Sequence, residues 1–324
     1  MSIDETHAKP STVARTAPAE NALAAAAHRR NQLEDVTWRT RLRAFNRRFF
    51  RGQPLNVLGV VIVLGFLVLV AIGQPLAEAR GSLYAPNTPN IQDKLLGPSS
   101  KHWFGTDDLG RDIFSRVISG AKYSLGVAVV ILAIAVTLGT VLGAIAGYFG
   151  GMVDELLMRL TDMFLAFPAL ILAIAISATL GPNLRNAVIA LSTVFWPWYA
   201  RLVRGQVLAI KSRDFIEAAR SVGVPGGRLL YRHIMPSAIS VIVIQMTLDV
   251  GYAILATSSL SFIGLGAQPP TPEWGAMISS ARAYFREAWW YITFPGLALT
   301  ITVLGFNLLG DGLRDYFDPR SASK

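Results

Sequence analysis

The side chains best placed to do chemistry in this chain are polar residues inside apolar segments. Gln245, Asp249 and Tyr252 lie at i, i+4 and i+7, so they share one face of a helix. A polar stripe on an apolar span is expected to turn away from lipid, toward a cavity or another helix. Two interpretations stay open: the three residues line a translocation path, or they bond to a second membrane subunit.

Catalytic chemistry is not expected, because the motifs that would support it are missing. The sequence holds no G-x-x-x-x-G-K-[ST], H-E-x-x-H or G-x-S-x-G pattern, and its four histidines are scattered. It has no cysteine, which excludes disulfides and thiolate metal sites. Asp249 is the one ionisable group well inside an apolar segment, whereas ion-driven carriers usually place several there. We therefore predict no catalytic residue, no bound cofactor and no metal site, with energy supplied by another protein.

A cluster of carboxylates could suggest a cation site, since oxygen ligands suit hard cations. The cluster consists of Asp107, Asp108 and Asp112. Arg111 stands beside it, and Gly105 and Gly110 interrupt the backbone. A structural turn is therefore the favoured interpretation.

The elements that must position these residues are membrane helices. Apolar residues make up 52% of the chain and charged residues 16%, and the mean hydropathy is +0.42, too apolar for a soluble protein of 324 residues. Six apolar segments approach the roughly 20 residues that cross a bilayer, at about 55–73, 123–148, 163–180, 187–200, 237–265 and 289–309. We predict an all-α membrane protein with about six transmembrane helices.

The same pattern divides the chain into five parts. Residues 1–35 are rich in Ala, Thr and Pro without an apolar period, which indicates a disordered cytoplasmic tail. Residues 36–53 form a basic amphipathic segment, either a helix on the membrane surface or a plain linker. The remaining parts are a first transmembrane helix with an outer loop at 54–122, the main transmembrane domain at 123–315 and a C-terminal tail at 316–324.

Basic residues set the orientation. If the N-terminus is inside, the inner segments carry twenty-one Lys and Arg residues and the outer loops carry nine. The positive-inside rule then places both termini and the long segment 201–236 in the cytoplasm.

Within that segment, residues 211–236 predict a helix, a turn and a second helix. Ser212 is expected to cap the first helix, and charges at Arg213, Glu217 and Arg220 can pair along one side. Phe215, Ala219 and Val222 form an apolar stripe on another side. Gly223 can adopt the left-handed conformation that ends the first helix, and Pro225 prevents that helix from continuing. The second helix, 226–233, is expected to end before Pro236.

The sequence Glu217-Ala218-Ala219, followed by Gly223 and Pro236, resembles the EAA loop of ABC importer permeases. His233 and Met235 depart from that pattern, which usually has Ile and Leu there. The resemblance implies the type I importer permease fold, in which this cytoplasmic coupling loop docks into a cleft of the ATPase subunit. The residues expected to dock are Arg213, Asp214, Glu217, Ala218, Ala219, Gly223, Pro225 and Pro236.

Three further stretches narrow the resemblance. Residues 102–112, 266–275 and 310–315 are similar to the second permease type of the dipeptide, oligopeptide, glutathione and nickel importers. The likeness covers roughly residues 40–320. It implies a bacterial inner-membrane subunit with a second homologous permease, two cytoplasmic ABC ATPases that bind the ATP, and a periplasmic or extracellular binding protein.

The sequence leaves alternatives for the cargo and for the transport mechanism. Di- or oligopeptides, with glutathione among them, are the predicted cargo, and nickel chelates are the alternative cargo. A self-contained secondary carrier or channel is the alternative function, which would transport without ATPase partners.

Two predictions concern packing. Gly139, Gly143 and Gly147 repeat every four residues, which lets another helix approach closely. The prolines within 268–272 predict an extended rim outside the bilayer, with Trp274 at the membrane interface.

Overall fold

The computed structural model of the chain describes residues 54–79, 81 and 85–317. The predicted tail and the basic segment 36–53 lie outside the described residues. The described part is built from α-helices with short connections and contains no named strand. In chain order the helices are α1 Pro54–Ala79, α2 Ile113–Phe149, α3 Gly151–Leu165, α4 Ala169–Leu180, α5 Leu184–Lys211, α6 Asp214–Ser221, α7 Gly226–Leu229, α8 Met235–Ile263, α9 Trp274–Ala281 and α10 Trp289–Phe317.

Among the described residues, four helical runs are long and apolar enough to cross a membrane: α1, α2, α7 continuing into α8, and α10. The bent pair α3 and α4 makes a fifth if it counts as one span. The predicted segment 187–200 lies inside α5, which is long enough to cross but is interrupted by polar residues such as Asn186 and Arg201. The fold is thus an all-α membrane protein, and the count of six spans stays a prediction.

Two predicted boundaries were wrong. Helix α2 begins at Ile113, ten residues before the expected start at 123, because the Asp112 side chain caps it by accepting a hydrogen bond from Ser115 N at 2.8 Å. Helix α10 runs to Phe317, past the predicted span end at 309.

Glycines near the end of α10 serve close packing rather than helix termination. A side chain at Gly310 would meet Leu248 of α8, and one at Gly312 would meet Asn56 of α1. Helix α10 therefore continues through Gly310 and Gly312, although glycines near the end of a segment suggest a helix terminus.

The third predicted span is not one helix. The chain bends by 84° between α3 and α4, where 163–180 was expected to continue straight. Pro168 stands at the break, immediately before α4. Proline lacks the N–H that a helix interior needs, and it biases Phe167 away from helical geometry, so the span divides there.

The glycine repeat of α2 packs as predicted. A side chain at Gly143 would overlap the backbone of Ala200 in α5, and one at Gly147 would crowd Val207 in the same helix. The two long helices therefore approach almost backbone to backbone along the core.

The proline-rich rim leads into a helix that the sequence did not indicate. Trp274, expected at the membrane interface, begins α9 and is only 2% exposed. Its indole Nε1 donates to the carbonyl of Val117 at 2.9 Å, and its ring packs 5.8 Å from Phe66. The interface prediction was wrong because this ring finds both an apolar partner and an acceptor among the helices.

Candidate translocation cavity and coupling hairpin

Residues 213–236, here called the coupling hairpin, turn sharply between α6 and α7. Gly223 has φ +81°, the left-handed conformation that its sequence context predicted. Its N–H donates to the Arg220 carbonyl at 3.0 Å, and Val224 N–H donates to the Ala219 carbonyl at 3.2 Å. Pro225 then stands at the start of α7. These bonds satisfy the end of α6 and fix the angle of the turn.

Buried aliphatic side chains hold the coupling hairpin to the transmembrane helices. Ile216 of α6 is fully buried, as are Leu229 and Ile234. They belong to one apolar cluster with Val203 and Val207 of α5. Burial of each such side chain is worth roughly 1.5–3 kcal/mol, so the hairpin moves as part of these helices rather than as a loose loop.

Two details predicted for α6 were wrong. Ser212 belongs to the end of α5, where its hydroxyl donates to the Ala209 carbonyl at 3.2 Å, and it does not cap α6. Within the described part of the chain no ion pair joins Glu217 to Arg213 or Arg220 at 4.0 Å or less. The Glu217 carboxylate is therefore exposed and keeps its charge available to a partner.

The second helix of the hairpin does not end before Pro236, contrary to expectation. Helix α7 passes through a π-helical turn, Leu230–Ile234, directly into α8. In that turn Met235 N–H donates to the Leu230 carbonyl, five residues back. The wider turn accommodates the ring and missing N–H of Pro236 without breaking the helix. The hairpin and α8 therefore form one continuous helical run.

The residues expected to dock lie at the surface of this chain. Ala219 is half-buried, and the exposed ones are Arg213, Asp214, Glu217, Ala218, Gly223, Pro225 and Pro236. The predicted apolar stripe of α6 is also largely exposed: Val222 is 81% exposed, and Phe215 is exposed as well. Charged and apolar side chains that find no cover within the chain suit contact with another protein.

A cavity of about 580 Å³ opens between α4, α5 and α8. Gln245, Asp249 and Tyr252 all line it, so the polar stripe of α8 faces this space. Four aromatic side chains contribute to its wall, namely Phe195, Trp198, Tyr199 and Tyr252. The Phe195 and Tyr252 rings stack with centroids 5.4 Å apart. The cavity wall is thus mainly aromatic, with one carboxylate, Asp249, and one guanidinium, Arg201.

Both oxygens of the Asp249 carboxylate accept hydrogen bonds. Tyr199 Oη donates to Oδ2 at 2.6 Å, and Gln245 Nε2 donates to Oδ1 at 2.9 Å. Sequence reasoning missed Tyr199, because it stands fifty residues before Asp249 and on another helix. The only signal for it was its place in the aromatic run Phe195 to Tyr199, within the predicted segment 187–200.

Asp107, Asp108 and Asp112 belong to a structural turn, as the favoured interpretation predicted. Asp107 accepts from Arg111 Nε at 2.6 Å and from Arg111 N at 2.9 Å. Asp112 caps α2, and Asp108 accepts from Tyr291 Oη at 3.0 Å. Within the described residues no group of three or more His, Cys, Asp or Glu side chains could hold a metal ion.

One carboxylate near this turn is perturbed by a cation. The Lys101 ammonium, 2.7 Å from Asp93, lowers the pKa of that carboxyl below its ordinary value.

Comparison with known proteins shows close relatives over most of the chain. The chain is 46% identical over 273 residues to the dipeptide transport system permease protein DppC of Alkalihalophilus pseudofirmus, covering 84% of this chain and 88% of that protein. It is 47% identical over 282 residues to the glutathione transport system permease protein GsiD of Escherichia coli O6:K15:H31, covering 87% and 91%. It is 42% identical over 274 residues to the probable D,D-dipeptide permease protein DdpC of Escherichia coli K12, covering 85% and 90%.

The family described as the binding-protein-dependent transport system inner membrane component matches residues 139–323. That stretch contains the coupling hairpin and the cavity wall on α5 and α8. Permeases of this family are non-catalytic multi-pass membrane subunits that work with ATPase and substrate-binding partners, so a self-contained carrier or channel is not favoured. The chain belongs to the family of binding-protein-dependent transport system inner membrane components.

Proposed function

We propose that this chain is the permease subunit through which di- and oligopeptides, glutathione among them, cross the bacterial inner membrane. One observation carries the proposal: the exposed coupling hairpin and the cavity wall belong to one helical run. Helix α7 passes without a break into α8, and α8 bears Gln245 and Asp249. A displacement at the cytoplasmic hairpin is therefore transmitted to the wall of the cavity.

The energy comes from partners. Two cytoplasmic ABC ATPases bind and hydrolyse ATP, and each permease hairpin docks into a cleft of one ATPase. A second homologous permease completes the membrane core, and an external binding protein delivers the cargo. Closure of the ATPases pushes on the Glu217 region, α8 tilts, and the cavity changes the side of the membrane to which it opens.

Peptides suit the cavity better than metal ions do. Its wall offers aromatic faces, one amide, one guanidinium (Arg201) and one hydrogen-bonded carboxylate. Among the described residues neither histidine nor cysteine lines it, whereas nickel prefers imidazole or several N and O ligands. The relatives named above transport dipeptides and glutathione. Nickel chelates are the alternative cargo.

Uptake assays decide the cargo. A strain that lacks this gene is compared with the same strain carrying it again, using labelled dipeptide, glutathione and nickel in parallel. We expect restoration of dipeptide uptake. Restored nickel uptake with unchanged peptide uptake would overturn the peptide assignment.

The proposal also sets the orientation, with both termini in the cytoplasm. The excess of basic residues in the predicted inner segments supports it. Reporter fusions after Gly181 and Gln268 are expected to report outside, and a fusion after Arg213 inside. An inside signal at Gln268 would contradict this topology.

A further inference from the structure

The Asp249 carboxylate lies midway along α8, which spans Met235–Ile263, and faces the cavity. Its two hydrogen-bond donors, Tyr199 and Gln245, are both neutral, so they orient the carboxylate without cancelling its charge. In the described part of the chain no Lys or Arg nitrogen lies within 4.0 Å of it. A carboxylate at membrane depth without a counter-charge is costly, which indicates that a cation completes the site.

The one basic residue on the cavity wall is already engaged. Arg201 pairs with Asp162, which lies on α3 and does not line the cavity. Asp249 is the carboxylate of the cavity wall, and it has no ion-pair partner within 4.0 Å among the described residues.

The surrounding wall also suits a cation. Phe195, Trp198, Tyr199 and Tyr252 supply four aromatic side chains to the same cavity as Asp249. The negative faces of aromatic rings attract ammonium groups, and aromatic walls with a carboxylate are typical of sites that bind them. Each Asp249 oxygen accepts one hydrogen bond within the chain and has a second lone pair for an incoming N–H donor.

We propose that Asp249 is the counter-charge for the free α-ammonium group of a peptide as it passes through the cavity, with Tyr199 and Gln245 as positioning residues. The inference rests on the proposed peptide-import function. It assigns the selection of an unblocked amino terminus to the permease as well as to the binding protein. The ammonium donates to the carboxylate and rests against the aromatic wall.

The test uses the complete importer, with its partner permease, ATPases and binding protein, in membrane vesicles. Uptake of alanyl-alanine is compared with uptake of N-acetyl-alanyl-alanine, each at a concentration that saturates the binding protein. Asp249→Asn keeps the shape and removes the charge. We expect it to lower uptake of the free dipeptide about tenfold, the size of one charge-assisted hydrogen bond, and to leave the acetylated dipeptide unchanged.

The matched control is Asp311→Asn, the same change at an exposed carboxylate of α10 that does not line the cavity. It should alter neither rate. Tyr199→Phe, which keeps the ring and removes one positioning bond, should lower the free-dipeptide rate about threefold, and it keeps the idea testable if Asp249→Asn fails to assemble.

Equal losses for both dipeptides would overturn the proposal and assign Asp249 to a bond with the second permease. No loss for either would overturn it as well. If acetylated dipeptide uptake is undetectable, Asp249→Glu decides: retained uptake supports a charge requirement, and lost uptake contradicts it. A wild-type importer that carries no dipeptide at all would instead refute the proposed function, and the inference with it.

Discussion

The charges of the turn around Asp107 and of the coupling hairpin around Glu217 differ in burial and in pairing. Asp107 is fully buried, and its oxygens accept from Arg111 and from backbone N–H groups. Glu217 is exposed and has no ion-pair partner among the described residues. A charge satisfied inside the chain serves the fold, and we propose that the exposed Glu217 charge, on a rigid support, serves contact with another protein. The four changes below test that distinction, from the largest expected effect on stability to the smallest.

Asp107→Ala should lower the free energy of unfolding the most. It removes the nearer partner of the buried Arg111 guanidinium, which then keeps only the longer contact of 3.9 Å to Asp108 among the described residues, and it removes the carboxylate that lies 3.5 Å from Arg116 Nε. Breaking a buried ion pair on one side costs about 3–5 kcal/mol. Thermal unfolding in detergent and the amount of inserted protein would measure the loss.

The control is Glu155→Ala, which breaks an exposed pair with Arg159 on α3. We expect Glu155→Ala to lower the free energy of unfolding by less than about 1 kcal/mol. Similar losses of unfolding free energy for Asp107→Ala and Glu155→Ala would mean that the turn around Asp107 does not stabilise the fold.

Ile216→Ala should rank second. This side chain is fully buried beneath the hairpin, while Val222, at the other end of α6, is 81% exposed. Truncating a buried Ile costs about 2–5 kcal/mol, whereas Val222→Ala should stay within about 0.5 kcal/mol. Comparison of the unfolding midpoints of Ile216→Ala and Val222→Ala tests whether Ile216 anchors the hairpin.

Gly223→Val should rank third. A β-branched residue is strained at φ +81°, and the left-handed conformation costs a non-glycine residue roughly 1–2 kcal/mol. Gly227→Val is the matched control, because that glycine has no positive φ and open space around its Cα. Unfolding and peptide uptake are measured for both, and an equal response would show that the turn geometry does not matter.

Glu217→Lys should have the smallest effect on stability and a large effect on transport. The exposed side chain makes no ion pair within the described residues, so the unfolding free energy should change by less than about 0.5 kcal/mol. Reversal of the charge should lower uptake at least tenfold in the assembled importer. Glu287→Lys, at an exposed site between α9 and α10, is the control. Wild-type uptake by the Glu217 variant would remove the case for a docking role.

Much of the fold was predictable from local signals. The apolar segments indicated the membrane helices, and Gly223 with Pro225 indicated the turn of the hairpin. The glycine repeat from Gly139 to Gly147 indicated close helix packing, which the structure confirms. These features depend on residue types within a few positions of each other, so the sequence alone determines them.

Tertiary structure decided what depends on distant partners. The bond from Tyr199 to Asp249 joins α5 to α8, and the burial of Trp274 depends on a carbonyl of α2. The continuity of α7 with α8 depends on a π-helical turn that proline patterns do not indicate. In each case the local preference is weak, on the order of 1 kcal/mol, and packing between helices far apart in the sequence outweighs it. The sequence thus determined which segments are apolar helices, which polar residues of α8 share a face, and where the hairpin turns, while packing decided that Tyr199 meets Asp249 in the cavity.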